Sequence, residues 1–521
     1  MMMDKLKIIV IGSGLSGLTA AATLCQEGHD VSIYEQFNHP GGVTAPYEKN
    51  GYKWDLGQLI IEGLAPDEPL GRILTELNIK GVEIKLEDRG YVFPNFEINK
   101  PEEYEGIKWR IEFLKTLFPE DSEGLEKYWK DFLHFTSLMT YRRRMEYSSG
   151  LKSLYWKLRL FAKLLGSGLF SKKDWSATEL MNYYFTNENL QLVFISIIAD
   201  FFTPPSKFLG LGVFSLNPEA IYDKRIPKKI DENTIQLYHY NILGGISNLV
   251  GGFISRIKEL GGEIFLNNPV KKILLQDNLV KAIIDGNGNE VQADIVIASG
   301  AAKETFFNLI GKTNLPREFI QSVNNLILME SVFMLQLGIE KSYDLSKYNK
   351  GYTVRYYYGI DSTKELEKEI KYERNGHYHE GEKGFVVHIP TFHTPNMAPD
   401  GNHAMTIYTI CPDRLKEGSW EEKKEEFAKK LISYAEKYYP NLSNSIILQE
   451  ILTPKDFRER TYSDHHAFGG IAPYMNTTGI THKTPIKGLW FIGAQSETGG
   501  GVSNVMPGAY KVAKLIIDEL S

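Results

Sequence analysis

The chain has 521 residues, which is more than a single hydrophobic core usually accommodates, so two or more domains are expected. It contains 42% hydrophobic and 24% charged residues and carries a net charge of −6, which is ordinary for a globular protein and argues against nucleic acid as its main partner. The two cysteines, Cys25 and Cys411, are too few for a disulfide framework or a cysteine metal site, and they fit a reducing, cytoplasmic compartment.

The first predicted element is a strand–helix–strand unit with a glycine-rich turn. Ile8 to Ile11 form a short apolar run typical of a buried parallel strand, and Val31 to Tyr34 form the next one. The helix between them ends at Gly28, a favourable residue just past a helix C-terminus. In the turn, Gly12-Ser13-Gly14-Leu15-Ser16-Gly17, the first glycine permits a tight bend, the second lets backbone approach a pyrophosphate, and the third allows close helix packing.

Glu35 closes the second strand about 20 residues after these glycines, where a carboxylate accepts the ribose hydroxyls of an adenine dinucleotide. The free N–H groups at the N-terminus of the helix favour phosphate binding. NADP is disfavoured, because an acidic residue at this point repels a 2′-phosphate. The unit therefore predicts an adenine-dinucleotide site.

Two later stretches have the same character. The stretch from Gly244 to Gly300 predicts an amphipathic helix at Ile246–Leu260, a strand at Glu263–Leu266, a hairpin turn at Asp285-Gly286 and a buried strand at Ala293–Ala298. The C-terminus predicts an apolar strand within Gly488–Gly493, a glycine-rich loop, and a helix from about Pro507 to Leu520. These stretches indicate a dinucleotide-binding domain assembled discontinuously.

The regions between these stretches differ from them. Residues 100–235 are rich in aromatic residues and predict helices, whereas residues 305–455 mix helices with strand-like runs such as Ser331–Gly338 and His403–Ile410. We therefore predict an α/β protein with a discontinuous Rossmann-like dinucleotide-binding domain and a second domain of mixed β-sheet and helices. The first domain comprises residues 1–100, 236–304 and 456–521, and the second comprises residues 101–235 and 305–455.

Taken in order, the motifs resemble those of the FAD-dependent carotenoid desaturase, isomerase and retinol saturase superfamily, of the bacterial phytoene-desaturase type. They are the glycine turn with Glu35, Pro40-Gly41-Gly42, the Gly51–Gly57 segment, the Gly244–Val270 stretch and the run Leu489–Ala509. Two departures stand out. Many relatives have arginine after the Gly-Gly pair, where this chain has Val43, and many have His-Pro or a similar pair before the C-terminal glycines, where it has Ser496-Glu497-Thr498.

The resemblance implies an amine-oxidase-like or GDP-dissociation-inhibitor-like architecture and one FAD bound non-covalently by three distant segments. It assigns the backbone at Val270 to the adenine, and the Gly493–Val502 loop with the following helix to the ribityl phosphate and the edge of the flavin ring. The residues expected to contact the cofactor are Gly12, Ser13, Gly14, Leu15, Ser16, Gly17, Glu35, Gln36, Gly41, Gly42, Val43, Gln58, Leu59, Val270, Gly300, Gly493, Ala494, Gly501, Val502 and Val505.

Two residues are candidates for catalysis. Glu497 is the one ionisable residue of the predicted flavin-edge loop, where it would move a substrate proton or orient a ligand; the alternative is a solvated loop glutamate. Gln58 follows the Gly51–Gly57 segment and is a candidate to reach the flavin ring. No metal site is predicted, because the histidines have no carboxylate or thiol partners at the usual spacing: His377, His379, His465 and His466.

A segment within residues 140–175 has the features of a membrane-contacting helix. Leu151 to Lys173 combines large apolar residues with six Lys and Arg residues and no acid, a pattern typical of an interfacial helix. The alternative is a helix packed on the core with a solvated basic face. The preceding Arg142-Arg143-Arg144 is interpreted as a solvated charge run, or else as a contact for lipid headgroups. The N-terminus does not read as a signal peptide, and no apolar run reaches the roughly 18 residues of a membrane span, so we expect peripheral contact with the inner face of the cell membrane.

The predicted function is that of an FAD-dependent oxidoreductase acting on C–C or C=C bonds of an apolar polyene or isoprenoid-like substrate. Hydride transfer at flavin N5 would give desaturation, saturation or redox-assisted cis–trans isomerisation, with an electron partner that the sequence does not identify. One alternative is a flavin amine oxidase. Another is a non-enzymatic prenyl-protein binding protein of the GDP-dissociation-inhibitor type, against which the intact glycine turn and Glu35 argue.

Overall fold

The structure is a computed structural model that describes residues 5–461 and 470–520. Its strands are β1 (Lys7–Ile11), β2 (Asp30–Tyr34), β3 (Pro46–Lys49), β4 (Tyr52–Asp55), β5 (Ile61–Glu62), β6 (Ile84–Leu86), β7 (Arg89–Val92), β8 (Glu97–Ile98), β9 (Lys229–Asp231), β10 (Thr234–Ile235), β11 (His239–Ile242), β12 (Glu263–Phe265), β13 (Lys272–Gln276), β14 (Leu279–Ile284), β15 (Glu290–Gln292), β16 (Ile295–Ala298), β17 (Ser331–Ile339), β18 (Val354–Tyr358), β19 (Gly384–His388), β20 (His403–Cys411), β21 (Ile446–Leu452) and β22 (Leu489–Phe491). Its α-helices are α1 (Leu15–Gln26), α2 (Pro69–Glu76), α3 (Trp109–Leu117), α4 (Ser122–Glu146), α5 (Gly150–Gly166), α6 (Ala177–Tyr184), α7 (Glu188–Ile195), α8 (Gly212–Leu216), α9 (Ile246–Glu259), α10 (Arg317–Asn324), α11 (Leu345–Asn349), α12 (Thr363–Arg374), α13 (Trp420–Ala435), α14 (Pro454–Thr461) and α15 (Val502–Leu520).

The first structural unit is a five-stranded sheet with the order β12-β2-β1-β16-β22, in which every neighbouring pair is parallel. Its strands come from the three stretches that the sequence indicates. Helices α1, α9 and α15 cover one face, where Val10, Ile33 and Ile297 are buried. The β13-β14-β15 sheet covers the other face, which contains Ile9 and Val296. Burial on both faces explains why these strands are apolar throughout.

The C-terminal helix begins earlier than predicted. It starts at Val502 rather than near Pro507, which lies inside the helix. Gly501 has a φ of +93°, which breaks the extended chain there, and the Val502 N–H donates to the Gln58 side chain at 2.9 Å. The start of α15 is thus set by Gly501 and by Gln58, which lies more than 400 residues earlier in the chain. A prediction that relies on the position of Pro507 alone therefore places the start of the helix too late.

The second structural unit is a seven-stranded mixed sheet with the order β21-β17-β20-β19-β18-β7-β8. The predicted strands at Ser331–Gly338 and His403–Ile410 are confirmed as the antiparallel pair β17 and β20. Strands β7 and β8 also belong to this sheet, because β7 pairs in parallel with β18 and Arg89 lies opposite Val354. The boundary between the units therefore lies before Arg89 and not at residue 100.

Helices α3 to α8 form the predicted helical region and cover one face of the seven-stranded sheet. Their core is aromatic and includes Tyr128, Phe194 and Phe214, which pack with Tyr356 and Tyr408 of the sheet. The opposite face is covered by α13. Helix α5 differs from its neighbours, since none of its residues is buried. Among the described helices, none combines the length and the apolarity needed to cross a bilayer.

Candidate cofactor and substrate site

A cavity of about 1420 Å³ lies where the carboxyl ends of the parallel strands face the seven-stranded sheet and the helical region. Its wall contains all but two of the residues predicted to contact the cofactor: Gly12, Gly14, Leu15, Ser16, Glu35, Gln36, Gly41, Gly42, Val43, Gln58, Leu59, Val270, Gly300, Gly493, Ala494, Gly501, Val502 and Val505. Ser13 and Gly17 lie behind the wall. The three predicted segments are thus brought to one surface.

The glycine turn has the shape that a pyrophosphate requires. Gly12 has a φ of +94°, and a Cβ on Gly17 would lie 2.1 Å from the Gly12 carbonyl oxygen. These two glycines are therefore needed by the protein itself. Gly14 is different, because a Cβ there would meet no protein atom within 4 Å and would point into open space. Such an open cradle at a helix N-terminus fits a bound pyrophosphate.

The carboxylate of Glu35 is buried and held in place at the end of β2. Its Oε2 accepts hydrogen bonds from the N–H and the hydroxyl of Ser13 at 2.8 and 2.6 Å, and its Oε1 accepts one from the N–H of Phe37 at 2.9 Å. Ser13 thus acts on the site through Glu35. The fixed carboxylate lies on the cavity wall, where the sequence expects the ribose hydroxyls.

Arg460 is a cavity residue that the sequence reasoning missed. It is buried on α14, its Nε donates to the Gly42 carbonyl at 3.0 Å, and its guanidinium stacks over the ring of Phe37. Burial lowers the pKa of Arg460 to about 10, which still leaves it charged at neutral pH, and the Glu35 carboxylate opposes this shift. Arg460 therefore supplies a cation beside the Gly-Gly pair, next to which this chain has Val43. No local pattern near the glycines could have revealed it.

The segments around the cavity are tied to one another by side chains. Gln58 accepts from the Val502 N–H through Oε1 and donates to the Ile60 carbonyl at 3.1 Å through Nε2, so both ends of its amide are engaged. Asp55 accepts from the Ile246 N–H at 2.9 Å, at the start of α9. This arrangement favours a positioning role for Gln58.

Glu497 lies on the cavity wall and accepts a hydrogen bond from the His482 N–H at 2.9 Å. Its side chain is 42% exposed. Gly493, which begins the same loop, packs close to Ser16, whose hydroxyl is 2.6 Å from that of Ser299. The loop is therefore held in place at both ends, at Gly493 and at Val502, and Glu497 lies between them with its side chain partly exposed.

The part of the cavity away from the glycine turn is lined mainly by apolar and aromatic side chains: Phe132, Phe135, Met139, Ile197, Phe208, Phe214, Leu237, Met329, Tyr356 and Tyr408. The wall includes exposed residues from several segments, among them Tyr147 before α5 and Lys173 after it. The segments that precede and follow α5 in the sequence thus contribute exposed residues to the cavity wall.

Helix α5 presents apolar side chains to the outside. Leu158 is 62% exposed and Phe161 is 59% exposed, and Leu151, Leu154 and Leu165 are also exposed. The basic Arg159 stacks against Trp156 and Tyr141. The observed helix thus differs from the alternative in which only a basic face meets solvent.

The prediction that the three arginines before α5 form a single solvated patch is wrong. Arg142 and Arg143 both line the cavity, but Arg142 is exposed and pairs with Glu146, whereas Arg143 is half-buried and donates to the Ile235 carbonyl. Arg144 stacks on Trp156 at 4.7 Å. Since α4 is a helix, consecutive residues point in different directions, and a run of like residues is divided among different environments.

Two of the four histidines considered as metal ligands, His377 and His379, lie in the described ranges and make contacts within the protein. His379 pairs with Glu373 at 3.0 Å, and His377 stacks on the ring of Tyr372. No group of three or more potential metal ligands is found among residues 5–461 and 470–520. His465 and His466 lie outside the described residues.

Residues 15–517 match the family described as flavin containing amine oxidoreductase. The chain is 27% identical to the chloroplastic prolycopene isomerase of Daucus carota, over 95% of this chain and 77% of that protein. It is 23% identical to the phytoene desaturase (lycopene-forming) of Pseudescherichia vulneris, over 99% of each. A putrescine oxidase triple mutant superposes with a TM-score of 0.63 at 12% identity and 99% coverage of each chain, which shows a common fold. The predicted amine-oxidase-like architecture is confirmed.

Proposed function

Because the chain belongs to the flavin containing amine oxidoreductase family and is an FAD-dependent oxidoreductase, we propose that it acts on the carbon–carbon bonds of a long apolar polyene or isoprenoid-like substrate. The observation that carries this proposal is the continuity of the cavity. Its wall passes from the glycine turn and Gly14 into a chamber lined by aromatic and aliphatic side chains. A hydrocarbon chain would replace water along such a wall, with a gain proportional to the apolar area buried.

The names of the relatives support the substrate class. The carrot protein is named for isomerisation of prolycopene and the bacterial one for desaturation of phytoene. Those names differ in the outcome of the reaction, so we propose for this chain the shared step, which is redox chemistry at a carbon–carbon bond. When bound, FAD supplies a centre that accepts or donates a hydride.

The residues of this chain would contribute binding and orientation. Gly14 and the N-terminus of α1 would receive the pyrophosphate, and Glu35 the ribose. Gln58 would hold the N-terminus of α15 in position, and Arg460 would balance phosphate charge. The aromatic chamber would hold the substrate chain and exclude water. Glu497, at the open side of its loop, remains our candidate for moving a proton.

We further propose that the substrate enters from a membrane surface that α5 contacts. The exposed apolar residues of α5, among them Leu158 and Phe161, would lie among lipid acyl chains, and Lys and Arg residues of the same segment would meet anionic headgroups. The segments that precede and follow α5 in the sequence contribute exposed residues to the cavity wall, so a lipid-soluble substrate could pass from the bilayer to the chamber without crossing water.

The test uses the FAD-loaded protein with anionic liposomes that carry polyenes, isoprenoid lipids or, as the alternative, amines. We expect polyenes to change the flavin absorbance near about 450 nm, or to be isomerised, and amines to have no effect. The contradicting result is a flavin that amines reduce while a broad polyene panel keeps its double bonds unchanged. That result would indicate an amine oxidase.

A further inference from the structure

Asp200 lies between the apolar chamber and a second, smaller cavity. It belongs to the 3-10 helix Ser196–Phe201. The second cavity has a volume of about 40 Å³, and three residues line both spaces: Asp200, Tyr356 and Tyr408. Of the acidic residues on the described part of the chamber wall, Asp200 is the one that also borders the second cavity.

The carboxyl group of Asp200 is available to a ligand in the chamber. Among the described residues it has no hydrogen-bond partner, and its oxygens do not belong to the enclosed polar atoms of the protein. The residue is partly exposed, and its exposed part faces the spaces that it lines.

The 3-10 helix of Asp200 is connected to the predicted flavin-edge loop. It is followed by Phe202, whose backbone is left-handed with a φ of +50° and whose ring belongs to the same small hydrophobic cluster as Ala472. The adjacent Ile471 donates its N–H to the Ala494 carbonyl of that loop at 3.2 Å. Asp200 is therefore held on the part of the chamber wall that lies towards the flavin-edge loop.

The second cavity has polar residues on its wall that do not line the chamber. Two of them are Glu373 and His379, and His379 Nε2 is 3.0 Å from Glu373 Oε1. The Gly381 N–H donates to His379 Nδ1 at 3.1 Å, so the neutral imidazole has its proton on Nε2, next to Glu373. The same wall also includes Glu369 and Lys383, which are partly exposed.

Helix α12 fixes this cavity against the helix of Asp200. Arg374, which follows Glu373 on α12, donates from Nε to the Phe202 carbonyl at 2.8 Å. A space of about 40 Å³ beside polar side chains admits water molecules. Since a carboxyl group exchanges its proton directly or through one water molecule, the second cavity provides a path between Asp200 and Glu373.

The ionisable groups around Asp200 favour proton exchange near neutral pH. One cation, one carboxyl group and four phenols interact with it: Arg89, Glu373, Tyr91, Tyr356, Tyr358 and Tyr408. Burial raises the pKa of each phenol above its ordinary value, so the phenols stay neutral. Burial raises the pKa of Asp200 to about 7, against the charge of Arg89, and burial also raises the pKa of Glu373. A carboxyl group with such a pKa both takes up and releases a proton near pH 7.

We propose that Asp200 removes a proton from a substrate carbon, or returns one to it, and that this proton is exchanged with solvent through the second cavity and Glu373. The inference rests on the proposed function, because it supplies the proton transfer that accompanies redox chemistry at a carbon–carbon bond. It assigns to Asp200 the step for which Glu497, on the flavin-edge loop, is the alternative.

The atoms and electrons of this step balance. In the oxidising direction, one C–H bond breaks and its hydrogen leaves with both electrons, as hydride, to FAD. The C–H bond of the neighbouring carbon breaks, its proton forms an O–H bond with the Asp200 carboxylate, and its electron pair forms the C=C bond. In the reducing direction each of these changes is reversed.

The test of the proton transfer is the Asp200→Asn variant, which keeps the size of the side chain but cannot take up the proton. The FAD-loaded protein is mixed with anionic liposomes that carry phytoene or prolycopene, and the rate constant of a single turnover is measured. We expect this rate constant to fall about 100-fold or more, with the FAD content and the binding of the polyene unchanged. Asp361→Asn, which changes an exposed residue, is the matched control and should react at the unaltered rate.

The test of the path is infrared spectroscopy with phytoene bound, at a pH below the pKa of Asp200. The C=O band of its protonated carboxyl group is the band that Asp200→Asn lacks, and transfer to D₂O shifts this band as the proton is exchanged. In Glu373→Gln, whose amide oxygen still accepts from His379, we expect this exchange to be about 10-fold slower. If Asp200→Asn does not fold, Asp200→Glu takes its place, since the longer carboxyl group should shift the band and retain part of the rate.

An unchanged rate constant in Asp200→Asn overturns the inference, and so does a loss of rate in Glu497→Gln alone, which would assign the proton to Glu497. Loss of FAD or of polyene binding in Asp200→Asn also overturns it, because Asp200 would then hold a ligand instead of moving a proton. Equally fast exchange in Glu373→Gln overturns the path through the second cavity. If a broad polyene panel leaves the flavin and all double bonds unchanged, the proposed function is the one that fails.

Discussion

The cofactor side and the substrate side of the cavity are built from different kinds of chain. On the cofactor side the essential features are backbone features, such as the open space at Gly14 and the left-handed Gly501. On the substrate side they are side chains such as Arg89 and Asp200, which distant strands and helices bring together. Backbone features leave a local trace in the sequence as glycines at set spacing, whereas a chamber wall leaves none. Variants on the two sides should therefore have different effects.

The largest effect is expected for Gly14→Val. The backbone at Gly14 has φ −64° and ψ 168°, which any residue adopts, and a Cβ meets no protein atom within 4 Å. The valine should therefore leave the fold intact while it occupies the space of the pyrophosphate, and FAD affinity should fall by about 100-fold or more. The measurement is the flavin content of the purified protein after incubation with FAD.

Gly251→Val is the matched control for that variant, because Gly251 also has no protein atom near its Cβ position but lies on α9 away from the cavity wall. It should bind FAD normally. A Gly14→Val protein that is folded and fully loaded with FAD would refute the proposal that the pyrophosphate binds at Gly14.

Arg460→Met tests whether the cofactor side also depends on a tertiary contribution. Removal of a buried cation that contacts Gly42 should weaken FAD binding about 10- to 100-fold. Titration of the apoprotein with FAD measures this. Lys455→Met, an exposed residue on the same helix, should have no effect. An unchanged affinity for FAD in Arg460→Met would mean that FAD binding does not depend on this cation.

A double change on α5, Leu158→Ser with Phe161→Ser, should affect the substrate side alone. Both residues are exposed, so the fold and the FAD content should be unaffected. Partition into anionic liposomes should fall about 10-fold, since two apolar groups would no longer insert. A sedimentation assay with liposomes measures this. Unchanged partition would contradict the proposed contact of α5 with lipid.

The smallest effect is the pH dependence contributed by Asp200. Burial raises its pKa from the ordinary value to about 7, so the folded state holds a proton that the unfolded state has released. Stability should therefore be highest at low pH and fall as the pH rises towards 7, by at most about 1.4 kcal/mol per pH unit. Denaturant unfolding from pH 5 to pH 7 should show a shallower slope for Asp200→Asn, and no change for the exposed Asp361→Asn.

Much of the cofactor side was predictable because its signals are local. The strand before the turn from Gly12 to Gly17 and the helix after it lie where the sequence predicts them, and the family, FAD and the enzyme class agree with the comparisons. The α15 start and the domain boundary were misplaced. The first depends on Gln58 and the second on the pairing of β7 with β18. In both cases the contacting residues are far apart in the sequence.

The substrate side shows where such prediction ends. Composition indicated helices rich in aromatic residues, and basic amphipathic patterning indicated α5. The division of Arg142-Arg143-Arg144 among three environments could not be seen, because helix geometry and neighbouring elements decide where each side chain points. For the same reason Arg89 and Asp200 read in the sequence as ordinary charged residues.

By itself the sequence determined an adenine-dinucleotide site, the fold class and the discontinuous arrangement of the chain, because each depends on glycine spacing, apolar periodicity and segment order, and the resemblance of its motifs to a flavoprotein family identified the dinucleotide as FAD. Only the tertiary structure decided which charges enter the cavity, since Arg460 and Arg89 reach it from α14 and β7 across long stretches of chain. The physical reason is that backbone conformation is specified by neighbours in sequence, whereas the environment of a side chain is specified by neighbours in space.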